Sequence, residues 1–336
     1  MEPTDNDRCN SFQDPVRSEL DILEDRLRDT LHSDIPLIDD ICRHINKTPG
    51  KRLRPNILFL ASRSTGGEKS AALTAGMAVE LIHTATLIHD DIIDNHLVRR
   101  GEQTVYAKWG NNIATIMGDF LYSRAFTSLS EAGLHELMAI LARATNIMSV
   151  GEMLQFQQAG QIDIDEARYM DMIYGKTASL FSASSECGAV IGTDGNGNGT
   201  RESYSGFGKN IGLAFQITDD LFDYIAVDEL IGKPVASDFT DGRVTLPFIT
   251  AFRNAPDLKK KRVSELFHVG VKEDGDWGEI VSFVQSYGGV EYSLNKAREL
   301  GEKAKDSLSS ISPSRERDAL CYAADYITER VLPFSA

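Results

Sequence analysis

Two short acidic runs, each closing an apolar helical stretch, constrain this chain more than any other feature. The first is Leu87-Ile88-His89-Asp90-Asp91-Ile92-Ile93-Asp94, at the end of an apolar run that begins at Ala78. Residues four apart in a helix share a face, so Asp90 and Asp94 point the same way, and Asp91 is turned aside by about 100°. Like charges at that spacing cost an isolated helix roughly 0.2–0.5 kcal/mol. A hard divalent cation with oxygen ligands offsets that repulsion. The second run, Phe215-Gln216-Ile217-Thr218-Asp219-Asp220-Leu221-Phe222-Asp223, repeats Asp-Asp-x-x-Asp at the end of another apolar helix. One copy alone reads as a solvated acidic turn. Two copies facing each other read as a cage for Mg²⁺, which is commonly held by a few carboxylates together with phosphate oxygens of a substrate.

Such a substrate meets an adverse field. The 336 residues include 35 Lys and Arg against 50 Asp and Glu, a net charge of −15. That balance argues against nucleic-acid binding. A phosphate substrate would need metals and a local basic cluster to reverse the sign where it binds. Thr48-Pro49-Gly50-Lys51-Arg52-Leu53-Arg54-Pro55 places three cations in four positions on a turn that opens a helix, where anions are attracted. Lys51 and Arg54 are three apart and share a face. Val98-Arg99-Arg100-Gly101 follows the first acidic run directly, so carboxylates and guanidinium groups would meet one polyanion. His83 lies seven residues before Asp90, nearly two turns, on the same stripe. A lone His on an apolar helix is more often a core residue, but this position points to ligand contact. Gly175-Lys176-Thr177 puts a glycine and a cation into an otherwise apolar helix. Gly232-Lys233-Pro234, Asp238 and Gly242-Arg243 make a polar loop able to close over an anion.

The remaining chain predicts helices and connectors. Residues 1 to about 13 read as disordered, and 14–336 as one all-α domain. Helices are predicted over Val16–Leu31, Ile35–Ile45, Ser70–Asp94, residues 105–129, Leu134–Gln158, Asp165–Ile191, Leu294–Ile311 and Arg315–Val331. No stretch shows sustained strand-like alternation or a GxGxxG turn, so an all-α fold follows. Residues 192–199 are a glycine-rich connector. Its Asp194, Asn196, Asn198 and Gly199 imitate the start of a calcium loop, but Ser205 stands where a bidentate Glu is required, so a loop is the better reading. The four cysteines, Cys9, Cys42, Cys187 and Cys321, form no CxxC pair and fit a reducing compartment. The acidic N-terminus is neither a secretory signal nor an Arg-rich presequence, and Phe334-Ser335-Ala336 is no peroxisomal tag. A cytoplasmic location is expected, or a mitochondrial one without a recognisable presequence.

Together these residues resemble the trans-isoprenyl diphosphate synthases. The match covers roughly residues 48–248 in the expected order: Gly50-Lys51-x-x-Arg54, the Asp90–Asp94 motif, Arg99-Arg100-Gly101, Lys176-Thr177, Gln216, the Asp219–Asp223 motif and Gly232-Lys233. The resemblance implies the isoprenoid synthase fold, antiparallel helices around a deep central cavity with the acidic motifs at its mouth, usually as a homodimer. It implies two or three Mg²⁺ per active site, bound most directly by Asp90, Asp94 and Asp219, with Asp91, Asp220 and Asp223 assisting. Arg99, Lys176 and Lys233 would hold an allylic diphosphate, farnesyl or geranylgeranyl. Lys51, Arg54, His83 and Arg100 would hold isopentenyl diphosphate. Thr177 and Gln216 would line the reacting region. Arg243 stands where lysine is usual, and Ala236 and Phe239 replace the frequent Gly and Leu of the loop.

Product length is the further step. Short-chain members of the family tend to carry bulky aromatics one turn before the first acidic motif. Here Ala85 and Thr86 are small, Ile82 and Val79 lie deeper, and Val79 is about 16 Å from Asp90 along the helix. A long product of about eight to ten units is expected, as for a ubiquinone side chain, with peripheral membrane association at product release. Phe120 and Phe126 on the following helix are the alternative floor. The competing readings are a short-chain synthase, a non-catalytic subunit of a heteromeric synthase, a class I terpene cyclase and a structural helical protein. Both acidic motifs are complete and the basic residues are present, which disfavours the last three.

Overall fold

The computed structural model describes residues 11–193, 197–225, 239, 242–269 and 274–331. Apart from a two-residue ladder, every regular element among them is helical. The order is a 3₁₀ turn at Asp14–Val16, then α1 (Arg17–Leu31), α2 (Pro36–Ile45), α3 (Leu53–Ser64), α4 (Lys69–Ile93), the antiparallel pair β1 (Val98–Arg99) and β2 (Glu102–Gln103), α5 (Val105–Trp109), α6 (Asn111–Glu131) and α7 (His135–Gln158). Next come α8 (Glu166–Ile173), a π-helical turn at Tyr174–Ala178, α9 (Ser179–Gly192), α10 (Asn198–Ile225), α11 (Leu246–Asn254), α12 (Asp257–Val269), α13 (Asp274–Ser286), α14 (Gly289–Ser307) and α15 (Arg315–Glu329).

The chain divides into two compact units, each assembled from separate segments. The first comprises Met1–Thr145, Leu180–Gly208 and Ser307–Ala323. Its axis is α4. The Glu68 carboxylate starts this helix by accepting from the Ser70 and Ala71 amides at 2.7 and 2.6 Å, which satisfies two of the four orphan N–H groups. Helices α6, α3 and α1 pack along it. Ala75, Ala78, Val79, Ile82 and Ala85 are completely buried. Burial of a side chain such as Val79 or Ile82 contributes about 1.5–3 kcal/mol. By length and composition α4 and α7 would each suffice to span a bilayer, but two-thirds (67%) of the most apolar window of α4 is inside the protein, as befits a core helix.

The second unit comprises Asn146–Ser179, Lys209–Asp306 and Ala324–Ala336. Helix α11 carries Pro247 in its first turn, where the fixed φ of proline fits. Its Phe248 joins an aromatic cluster with Phe239, Phe267 and Phe283, with ring centroids 5.1–5.9 Å apart. Phe239, the residue that departs from the usual leucine, is 2% exposed and lies edge-on to Phe267. Gly232, Lys233, Ala236 and Asp238 lie outside the described residues.

The structure departs from the expected elements at several places, among them the hairpin β1–β2 and the helix expected over Leu294–Ile311, which runs Gly289–Ser307. Residues 11–16 are helical, and Phe12 is 1% exposed, so order begins before residue 14. The expected helix over 105–129 is two helices, because Gly110 adopts φ +84 between them. The expected helix Asp165–Ile191 is interrupted by the π turn. Asp194 and Asn196 of the calcium-like loop lie outside the described residues.

Candidate active site

In the first unit, α4 delivers the first acidic motif. Asp90 and Asp94 are half-buried on one face of its last turn. Asp91 is turned inward, 4% exposed, and accepts from Arg99 Nε at 2.8 Å. Burial pushes the Asp91 carboxyl up from its ordinary range, and the Arg99 guanidinium opposes that shift. Arg99 reaches it because β1 and β2 form a tight hairpin with Arg100 (φ +52) and Gly101 (φ +79) at its turn. Positive φ at both central residues is the type I′ geometry whose twist matches paired strands. This ladder is too short for alternation to be legible in sequence.

The basic residues of the first unit converge. Arg100 Nη1 donates to Thr48 O at 3.2 Å, and a Cβ on Gly50 would stand 3.1 Å from that nitrogen. Gly50 therefore lets the guanidinium lie across the turn. Arg54 Nη1 donates to His83 Nε2 at 3.2 Å and stacks 4.3 Å over the Phe181 ring. A guanidinium has no lone pair to offer, so Nε2 is the acceptor and the ring is neutral. Burial, then Arg54, Arg100 and Arg99, depress the His83 pKa well below the usual imidazole value. Lys51 is exposed at the edge of the same turn. A cavity of about 110 Å³ opens here, lined among others by Gly50, His83, Asp91, Arg99 and Arg100.

Behind the acidic motif, α4 and α6 approach closely. A Cβ on Gly118 would fall 2.2 Å from His89 Nε2, so a side chain there would displace the His89 ring. Gly118 thus serves packing. One turn on, the Tyr122 ring lies 6.0 Å from the His89 ring, and burial, with Asp90 and Asp119 nearby, pushes its hydroxyl pKa up to about 12. Sequence reading passed over Tyr122; Phe120 and Phe126 are half-buried on the same helix. Ala85 and Ile82 are completely buried, and Thr86 is half-buried with its hydroxyl donating to His83 O at 2.7 Å.

In the second unit, α10 carries the second acidic motif into a hydrogen-bonded chain. Tyr169 Oη donates to Asp220 Oδ2 at 2.6 Å, Gln216 Nε2 donates to Asp220 Oδ1 at 2.8 Å, and Thr177 Oγ1 donates to Gln216 Oε1 at 2.6 Å. Asp220 is 5% exposed, so it orients Gln216 and Thr177 rather than facing solvent. Arg330 Nη2 donates to Asp219 Oδ1 at 2.5 Å and to Phe215 O at 2.8 Å, with the guanidinium 4.2 Å over the Phe215 ring. Lys176 pairs with Glu152 at 2.9 Å. The π turn packs directly on α7: a Cβ on Gly151 would come within 2.7 Å of Lys176 N. Gly175, singled out in sequence, and Gly151 of α7 are therefore the contact that presents Lys176 and Thr177. Tyr169 and Arg330 had no sequence signal, since each acts on a residue far away in the chain. Lys233 lies outside the described residues.

The donors suit a hard divalent ion. In each motif the outer carboxylates, Asp90 with Asp94 and Asp219 with Asp223, share a helix face and offer oxygen alone. Among the described residues no three His, Cys, Asp or Glu side chains form a ready metal cage. A set of this kind requires substrate oxygens and water to complete a shell, as Mg²⁺ sites commonly do.

The comparisons with known proteins agree with one another. The family model for polyprenyl synthetase matches residues 35–284. The octaprenyl diphosphate synthase of Haemophilus influenzae is 34% identical over 300 residues, covering 89% of this chain and 90% of the relative. The geranylgeranyl diphosphate synthase of Sulfolobus acidocaldarius is 36% identical over 330 residues, covering 96% and 98%. A crystal structure of a polyprenyl synthase from Caulobacter crescentus, complexed with calcium and isoprenyl diphosphate, superposes with a TM-score of 0.91 at 31% identity, covering 96% of this chain and 98% of that one. The chain belongs to the trans-isoprenyl diphosphate synthase family, the polyprenyl synthetases, and is a prenyltransferase with the all-α isoprenoid synthase fold.

Proposed function

We propose that this enzyme joins an allylic diphosphate, farnesyl or geranylgeranyl, to successive isopentenyl diphosphate units and releases a long all-trans polyprenyl diphosphate of about eight to ten units. The observation that carries the transfer step is the basic cluster of Arg54, His83 and Arg100 around the Gly50 turn, beside the first acidic motif. Lys51, Arg54, His83 and Arg100 bind the diphosphate of isopentenyl diphosphate. Arg99, Lys176 and Lys233 hold the allylic diphosphate, and Asp90, Asp94 and Asp219, with Asp91, Asp220 and Asp223 in support, carry Mg²⁺. When bound, Mg²⁺ neutralises charge developing on the departing diphosphate. The cationic side chains add to that stabilisation, and the chain excludes water from the allylic cation formed when the C–O bond breaks. The fixed isopentenyl double bond attacks, and a proton leaves to the released pyrophosphate. Thr177 and Gln216, oriented through Asp220, line the reacting carbons.

The long product is supported by the lack of aromatic residues at Ile82, Ala85 and Thr86. A ubiquinone side chain is a fitting destination for such a product. The enzyme acts as a homodimer and meets a membrane when the product leaves; Val150, Met153 and Phe156, 53–70% exposed on α7, form an apolar stripe suited to either surface. The test is a product ladder from farnesyl diphosphate and labelled isopentenyl diphosphate with Mg²⁺, dephosphorylated and sized. Ala85→Phe is expected to shorten the ladder; an unchanged ladder overturns the tail path. The second reading, a product of fifteen or twenty carbons, is favoured by the Tyr122 ring, which lies 6.0 Å from the ring of His89 at the start of the first acidic motif. It predicts a short wild-type product that Tyr122→Ala lengthens.

A further inference from the structure

The sequence places three cations in four positions at Lys51, Arg52 and Arg54, and the reaction employs only the first and last. Arg52 has φ +52 and ψ +35, the left-handed conformation, at the residue that opens α3. L-residues adopt it at a cost unless surrounding contacts hold them there. That conformation directs the side chain inward, where it is 13% exposed, and away from the Lys51 edge. Its Nε and Nη2 donate to the Glu24 carboxylate of α1 at 2.5 and 3.1 Å, and its Nη1 donates to Glu80 Oε1 of α4 at 2.5 Å. Both ends of the fork are engaged, a geometry that lysine does not reproduce. Burial disfavours the charge on Arg52, yet Glu24 and Glu80 together raise its pKa above the usual guanidinium value.

We propose that Arg52, clamped between Glu24 and Glu80, is a positioning residue that sets the geometry of the isopentenyl diphosphate site without touching that substrate. The inference rests on the reading of Lys51, Arg54, His83 and Arg100 as that site. Two consequences follow from the geometry. First, Glu80 lies one turn before His83 on α4, so the clamp ties the turn bearing Lys51 and Arg54 to the helix bearing His83. Second, one cation between two carboxylates leaves a formal charge of −1 directly behind the cluster. That countercharge eases the mutual repulsion of Arg54, Arg99 and Arg100 before the diphosphate arrives.

The experiment measures KM for each substrate in the full-length enzyme, with calorimetric binding of isopentenyl diphosphate in Mg²⁺. Arg52→Gln is expected to raise KM for isopentenyl diphosphate roughly tenfold or more, as small misplacements of binding groups do, with KM for the allylic diphosphate within about twofold of wild type. Arg52→Lys recovers part of the loss, since an ammonium still bonds one carboxylate. If Arg52→Gln fails to fold, Glu24→Gln, at a side chain 36% exposed, decides by the same split between substrates. Unchanged KM values in a folded variant, or equal changes for both substrates, overturn the proposal. Lys51→Ala separates the two levels. If Lys51→Ala keeps full isopentenyl diphosphate affinity, the site assignment fails and the clamp with it. If Lys51→Ala loses affinity and the Arg52 variants do not, only the clamp fails.

Discussion

His83 illustrates how a single residue is fixed by what its neighbour lacks. Arg54 has only protons to give, so His83 must accept, and burial among four guanidinium groups holds the ring neutral. The folded-state pKa is depressed, so the unfolded chain binds the extra proton first. Its contribution to stability is present above about pH 6.5, the unfolded value, and is lost as pH falls below it toward the folded pKa. Chemical denaturation between pH 5 and pH 8 is expected to show this slope, and His83→Gln to flatten it. Isopentenyl diphosphate affinity should show no inflection from His83 near pH 6.5; an inflection abolished by His83→Gln would contradict the neutral assignment. Tyr169→Phe belongs to the same scale. It removes a hydrogen bond to a buried carboxylate, worth about 1.5–3 kcal/mol. The expected outcome is a lower melting temperature and a fall in kcat larger than any change in KM, because Gln216 and Thr177 lose their orientation.

At the scale of elements, irregular segments present several residues of the proposed site. The π turn at Tyr174–Ala178 interrupts what would otherwise be a continuous helix and places Lys176 beside Glu152. Such single-turn bulges often mark functional positions in helices. Gly151→Ala is expected to force this turn off α7, since the new methyl would sit 2.7 Å from Lys176 N. Overpacking of this kind costs about 1–3 kcal/mol, and the loss should appear in allylic diphosphate affinity more than in isopentenyl diphosphate affinity. The hairpin behaves alike. Gly101→Ala imposes a Cβ on φ +79 and is expected to cost about 1 kcal/mol or more, weakening the hold of Arg99 on Asp91. Urea denaturation and substrate titration together check both variants.

At the scale of the whole molecule, residues remote in sequence complete the acidic motifs. Arg330 and Asp219 are 111 residues apart, yet the guanidinium holds Asp219, Thr218 and the Phe215 carbonyl at once. Arg330→Ala is expected to lower stability by about 2 kcal/mol through the unsatisfied partners left behind and to alter Mg²⁺ binding measured by calorimetry with pyrophosphate. An unchanged melting temperature would show that the clamp carries no energy. The helical fold, most helix boundaries and the ordered acidic and basic motifs were legible in the sequence, because helical periodicity and i, i+4 spacing are local properties. Phe12 was not, since one aromatic before the first periodic run carries no pattern, although it is buried. Nor were the partners of the inner carboxylates, Arg99 for Asp91 and Tyr169 for Asp220. The sequence by itself determined which side chains are available and which share a helix face. Only the tertiary structure decided that Asp91 and Asp220 turn inward, that Arg52 faces two carboxylates while Arg54 meets His83, and that Arg330 reaches Asp219. Those choices depend on which buried charges find partners across the fold, and burial without a partner is too costly for the chain to leave them otherwise.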